Sequence, residues 1–215
     1  MADGARELAT GFLPLLEQAG GREYSDAFRE SWPAVVEWVE PYYDSEHLKQ
    51  TVVWMLRLDP LAPEPLLIAA LTHDMERHFP GGTQPDKAAG AWDDVEYNTR
   101  HAQRSASIVS DWLRRQGFSA GFVDQVVPPI LQHEFGGSPE GNLVQAADSL
   151  SFLDTNAVLV AKWVRDGETT AKLGKRKLAW MYDRIQIAEA RQLAAPLFEE
   201  AVGVVDRERE RSPAG

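Results

Sequence analysis

The chain of 215 residues contains no cysteine. That absence removes disulfide staples, thiolate nucleophiles and cysteine-held zinc or iron–sulfur sites, so any metal must be held by His, Asp and Glu. Long apolar runs are missing as well: none approaches the roughly 20 residues that a bilayer-spanning helix needs. Met1–Gly21 lacks a basic start followed by an apolar block, and the expectation is a cytoplasmic protein with no membrane partner. Positive charge is scarce, with 22 Lys and Arg against 33 Asp and Glu and a formal net charge of −11. Such a surface repels a phosphate backbone, which argues against nucleic acid as a partner.

What is present is the profile of a packed globule, 44% apolar and 26% charged, of a length that one core can serve. Apolar residues recur at three- and four-residue intervals nearly throughout, and alternating β-branched runs are absent. The spacing predicts an all-α fold, one helical bundle over residues 1–215 with N-terminal helices within 4–40. Those two helices are Gly4–Gln18 and Tyr24–Glu40, the second interrupted by Pro33 after a cap-like Ser31. Asp44 and Ser45 offer an N-cap for a helix to Leu58, and Glu64–His78 follows, apolar on nearly every side and therefore central. Phe79–Trp92, with Pro80, Gly81, Gly82, Pro85 and Gly90, reads as a flap or rim. Further helices are expected at Val95–Gln116, Ser119–Phe135, Gly141–Arg165 and Thr169–Arg209. Between Val160 and Arg191 eight bases face four acids, so the C-terminal helices, about 160–209, are locally basic.

Five histidines stand at positions 47, 73, 78, 101 and 133, and all except His78, a helix-end residue, fall on separate expected helices with room to face inward. Asp74 follows His73 directly, and Asp148 interrupts the core-forming run Leu143–Leu153. An unpaired buried carboxylate costs on the order of several kcal/mol, so an Asp among Ala and Leu calls for a nearby cation, and a metal ion is the economical one. Helical spacing groups His101 with Ser105 and Trp112, His133 with Val126 and Ile130, and His73 with Leu66, Ala69 and Ala70. Ala69 and Ala70 are small enough to leave room there for an ion and a substrate.

The order His47, then His73-Asp74, then Asp148, resembles the HD-domain superfamily of metal-dependent phosphohydrolases over about Asp44–Asn156, half of the chain. An apolar helix precedes the His-Asp pair, as that pattern requires, and His101 and His133 are similar to the subset that holds two metals. The resemblance implies that His47, His73, Asp74 and Asp148 hold one ion and that Asp74 bridges to a second, completed by His101 and His133. Asp74 is then also the catalytic residue. Imidazole and carboxylate suit two divalent or mixed-valence transition-metal ions, iron or manganese first, with zinc and nickel as further candidates.

A small anionic substrate is the implied partner. Arg77 stands where many two-metal HD proteins carry a basic residue that meets such a substrate, and Arg can grip phosphate with two prongs. Arg104, one turn beyond His101, and Lys175 and Lys177, in a basic run able to fold over the site, are the other substrate-binding candidates. Glu76 reads as a solvated acid, and Glu134 as a candidate to hydrogen-bond a ligand His. The function expected is hydrolysis of a phosphoester or nucleotide by a metal-activated water. The alternative is a mixed-valence di-iron oxygenase resembling myo-inositol oxygenase or the phosphonate-cleaving oxygenases, built on the same four His and two Asp. Those oxygenases tend to carry Lys or His where Arg77 stands, which leans towards hydrolysis. A purely structural metal would rarely need six ligands.

Overall fold

Side-chain caps set most helix starts. The Ser25 hydroxyl accepts the Phe28 N–H at 3.2 Å, Asp94 accepts from Tyr97 at 2.8 Å and Ser138 from Gly141 at 3.0 Å, each satisfying a donor that the first turn leaves unpaired. The computed structural model of the chain describes residues 22–82 and 86–211. Its helices are α1 (Asp26–Val39), α2 (Ser45–Leu58), α3 (Glu64–Thr72), α4 (Val95–Arg115), α5 (Ala120–Gln132), α6 (Pro139–Thr155), α7 (Ala157–Arg165), α8 (Ala171–Asp183) and α9 (Ala188–Arg211), with a 3₁₀ turn at Met75–His78. No strand occurs among the described residues, and the fold is all-α. The helix expected at Gly4–Gln18 lies outside the described residues.

Several expected boundaries move. Pro33 does not interrupt α1: the cap is Ser25, and the Ser31 hydroxyl bonds back to the Ala27 and Phe28 carbonyls at 2.8 and 3.1 Å. The Glu64–His78 helix stops at Thr72, the stretch 141–165 breaks at Asn156, and the stretch 169–209 breaks at Arg184. Periodicity is blind to such breaks, because the apolar spacing continues on either side of them.

Helix α6 is the hub, packing against α2, α3, α5, α7, α8 and α9. It is buried on all sides over Val144–Leu153, which is why its polar residues are forced to find partners inside the protein. Helix α3 is equally buried, and one contiguous apolar cluster runs from Tyr24 to Val205. Gly174 lets α8 approach α7, since a methyl group there would lie 3.0 Å from Val160 Cγ1.

Ala69 and Ala70 do not open space for a ligand: both are fully buried members of the core and neither lines the main cavity. Ala69→Leu should therefore overpack α3 and destabilise the protein by about 1–3 kcal/mol. The measurement is urea unfolding, with the midpoint lowered and the slope unchanged.

Candidate metal centre

Two of the helices end on an imidazole. His73 is the C-cap of α3 and His133 the C-cap of α5, and each donates its Nδ1–H to the carbonyl three residues back, Ala70 at 2.9 Å and Ile130 at 2.7 Å. In an uninterrupted helix the Ala70 carbonyl would accept from the Asp74 N–H, so the imidazole replaces that bond as the helix ends. A carbonyl can only accept, which fixes the proton on Nδ1 and turns Nε2 inward. Both His73 Nε2 and His133 Nε2 are buried and have no hydrogen-bond partner.

The other two imidazoles are fixed in the same sense. The Ser151 hydroxyl donates to the His47 carbonyl at 2.7 Å, so at 2.9 Å it accepts from His47 Nδ1. His101 Nδ1 donates to Glu76 Oε1 at 2.9 Å. Four histidines from four different helices thus present Nε2 to one interior point, each held from behind. Ligand histidines in metal proteins are commonly oriented in this way.

Two carboxylates meet those nitrogens. Asp148 Oδ1 lies 3.2 Å from His47 Nε2 and 3.6 Å from His73 Nε2; Asp74 Oδ1 lies 2.7 Å from His101 Nε2 and 3.8 Å from His133 Nε2. Among the described residues, His47, His73 and Asp74 form one group whose ligand atoms all fall within 4.8 Å of one another, and Asp74, His101 and His133 form another. Asp74 is common to both.

Burial opposes charge on both carboxylates, yet cations prevail. Arg77 and His101 hold Asp74 well below the usual carboxylate range, and Arg184 and His73 do the same for Asp148. Burial would likewise lower the pKa of His73, but Asp148 beside it lifts it to about 9. His133 goes the other way. Burial, reinforced by His73 and His101 and only partly opposed by Glu134, pushes it down to about 4, so it is neutral with a free lone pair at physiological pH. Two helix C-termini converge here, and their partial negative charge adds to the preference for a cation.

The centre forms the floor of a cavity of about 300 Å³ that His47, Asp74, Glu134 and Asp148 share with Arg77, Lys177 and Arg184. Arg184 was not expected at the site. It caps α8, is 8% exposed, and donates to Ser149 Oγ at 2.9 Å, to Glu134 Oε2 and to Asp148 Oδ2. No local signal in the sequence marks it, because the helix end at Arg184 lies inside a stretch of continuous apolar spacing. Glu76, read as solvated, is 1% exposed and is shared between His101 and Arg104. Glu134 lies 3.6 Å from His133 Nε2 and faces the cavity.

The four expected substrate-binding residues divide evenly. Arg77 lines the cavity, although its Nε is held by Asp74 Oδ2 at 3.1 Å and its Nη1 by the Tyr97 hydroxyl at 2.8 Å. Lys177 also lines it, with Nζ 5.0 Å from the centroid of Phe152 and 6.0 Å from that of Trp92. Arg104 turns instead to Glu76 and the Pro80 carbonyl, and Lys175 pairs with Asp206 at 2.8 Å; neither reaches the cavity. Trp92 is no free flap residue: it is 5% exposed, bonds the Leu173 carbonyl at 3.0 Å and stacks on Trp163.

The fold and centre define an all-helical protein with a buried His/Asp cluster that can hold a metal ion. Comparison of the chain with protein-family models, curated proteins and solved structures gives no match. No helix among the described residues is long and apolar enough to cross a membrane.

If the two groups hold separate ions, Asp74→Ala should lose metal binding altogether, whereas His73→Ala, His101→Ala or His133→Ala should each lose about one ion of two. Elemental analysis after dialysis against trace metal reads the stoichiometry. Full occupancy in His73→Ala would show that metal binds elsewhere.

Proposed function

We propose that the protein is a metal-dependent hydrolase of a small phosphorylated molecule, a phosphoester or nucleotide, in keeping with its resemblance to HD-domain phosphohydrolases. His47, His73, Asp74 and Asp148 would hold one ion and Asp74, His101 and His133 the other, with iron or manganese the best fit to the ligand set, and zinc and nickel also compatible. The observation that carries the reading is Asp74, one carboxylate common to two clusters of buried nitrogens, two of which have no hydrogen-bond partner. Ions bound there would supply a water of lowered pKa and a Lewis acid for a phosphoryl oxygen.

The chain's own residues supply the rest. Arg184 holds Asp148 Oδ2 from behind, leaving Oδ1 directed at His47 and His73. Arg77, backed by Tyr97, does the same for Asp74. Lys177 is the cavity cation left for the substrate: Arg77 is paired with Asp74, Lys87 with Glu168 and Arg184 with Asp148 and Glu134, while Lys177 has no ion pair among the described residues. Stacked above Phe152 and Trp92, it lies on the wall of the cavity whose floor carries the metal cluster.

The test is metal content of protein purified without added metal, followed by phosphate release from a panel of small phosphomonoesters. Loss of release in His73→Ala supports the proposal. Two irons with an oxygen-sensitive mixed-valence signal and no phosphate release would favour the oxygenase instead.

Lys177 gives a pH signature. Burial, together with Arg184 and Arg77 and against Glu134, pushes it down to about 8. Its charge is present below that pKa and lost above it, so affinity for inorganic phosphate should fall as pH rises through about 8. Lys177→Ala should bind phosphate about tenfold to a hundredfold more weakly at pH 7, and Lys177→Arg should remain flat through pH 9, because Arg keeps its charge. Calorimetric titration reads both.

A further inference from the structure

Asp44 occupies the N-cap position of α2 yet makes no capping hydrogen bond. Its Oδ2 accepts instead from Asn156 Nδ2 at 2.6 Å, and Asn156, 3% exposed, is fixed in turn by the Thr155 hydroxyl, which donates to its Oδ1 at 2.7 Å. Both Asp44 and Asn156 line the same cavity as the metal cluster. An N-cap carboxylate that forgoes its helix is giving up a stabilising bond worth about 0.5–2 kcal/mol. A buried amide aims it elsewhere.

The sequence spacing shows where this pair stands. Asp148, Phe152 and Asn156 follow one another at four-residue intervals on α6 and its C-cap, so they share a face, and all three line the cavity. On α2, Asp44 and His47 are three residues apart. Two cross-links therefore join the same two elements: His47 to Asp148 at the metal cluster, 3.2 Å, and Asp44 to Asn156 further along, 2.6 Å. Phe152, one turn from each partner on α6, lines the cavity with its ring 6.1 Å from that of His47. At about 1.5 Å of rise per residue, the two cross-links are separated by roughly 4.5 Å measured along α2 and roughly 12 Å measured along α6.

From this juxtaposition we propose that Asp44 and Asn156 form a hydroxyl-recognition subsite that selects phosphate esters of short hydroxylated carbon chains over plain alkyl phosphates. The proposal rests on the hydrolase reading and names its substrate class. With the phosphate at the metal cluster and Lys177, the two spacings match a chain of roughly three to six carbons, whose CH groups lie on Phe152 and whose distal hydroxyl donates to Asp44. A carboxylate is an acceptor only, so the group it recognises must be a donor. An ammonium would also donate, but it would add a second cation to a cavity where Lys177 already stands without an ion pair among the described residues, the charges of Arg77, Lys87 and Arg184 being taken by carboxylates. The hydroxyl is the better fit.

Calorimetry on the manganese-loaded protein, with non-hydrolysable probes, tests this. 3,4-Dihydroxybutylphosphonate should bind about tenfold or more tighter than butylphosphonate, the span expected for a hydrogen bond to a charged acceptor, and 4-aminobutylphosphonate should gain less. In Asp44→Ala the preference for the diol should vanish, while inorganic phosphate, too short to reach the subsite, binds both proteins alike. Asp44→Asn, which keeps one acceptor and the shape, should retain part of the preference, and it carries the test should the Ala variant fail to fold. A diol preference that survives in Asp44→Ala or Asp44→Asn undiminished, or an Asp44-dependent preference for the amine over the diol, would overturn the subsite. Failure of inorganic phosphate itself to bind would overturn the hydrolase reading, and the subsite with it.

Discussion

Two carboxylates, the half-buried Asp74 and the buried Asp148, stand within 4 Å of imidazole nitrogens inside an apolar bundle. Removing a carboxylate from water is among the largest unfavourable terms a fold can carry, and it is tolerable only where positive charge and hydrogen bonds surround the group. Much of the architecture answers that demand. Helix α8 ends where it does with Arg184 turned inward to Asp148, the 3₁₀ turn places Arg77 against Asp74, and four helices each aim an imidazole at the same pair. With protons and guanidinium groups alone the cluster still leaves two buried nitrogens without a hydrogen bond. A metal cation would satisfy both nitrogens and carboxylates at once.

Much of the chemistry sits at helix ends, while His47, His101 and Asp148 reach the site from helix faces. Asp44 is an N-cap, and His73, His133, Asn156 and Arg184 are C-caps. Capping positions have side chains freed from the crowded helical surface and backbone groups in need of partners. A polar residue there can serve the backbone and the site together, as the two capping imidazoles do.

The same fact explains what was legible in the sequence. The helical class follows from apolar periodicity. The six His and Asp residues stand out because histidine is scarce in this chain and a carboxylate amid Ala and Leu is costly. Their grouping around one centre follows, since each had a face to hide. What periodicity could not show is where helices stop, so Glu64–His78, 141–165 and 169–209 were read through breaks at His73, Asn156 and Arg184. Pairings between distant segments were equally hidden. Nothing local distinguishes Arg184, which reaches the site, from Arg104 and Lys175, which are taken by Glu76 and Asp206. Glu76 looked solvated because its neighbours in sequence are polar, whereas its neighbours in space are His101 and Ser105.

The anchoring of the four clustered imidazoles through Nδ1 has a further consequence. Side chains locked by Ala70, Ile130, Ser151 and Glu76 lose their rotational freedom when the chain folds, before any ion arrives. Ion capture then needs little rearrangement of the cage. A cage this stiff would discriminate among ions by radius and preferred coordination number rather than adapt to whichever is most abundant, and ion exchange would be slow relative to a site built on mobile loops.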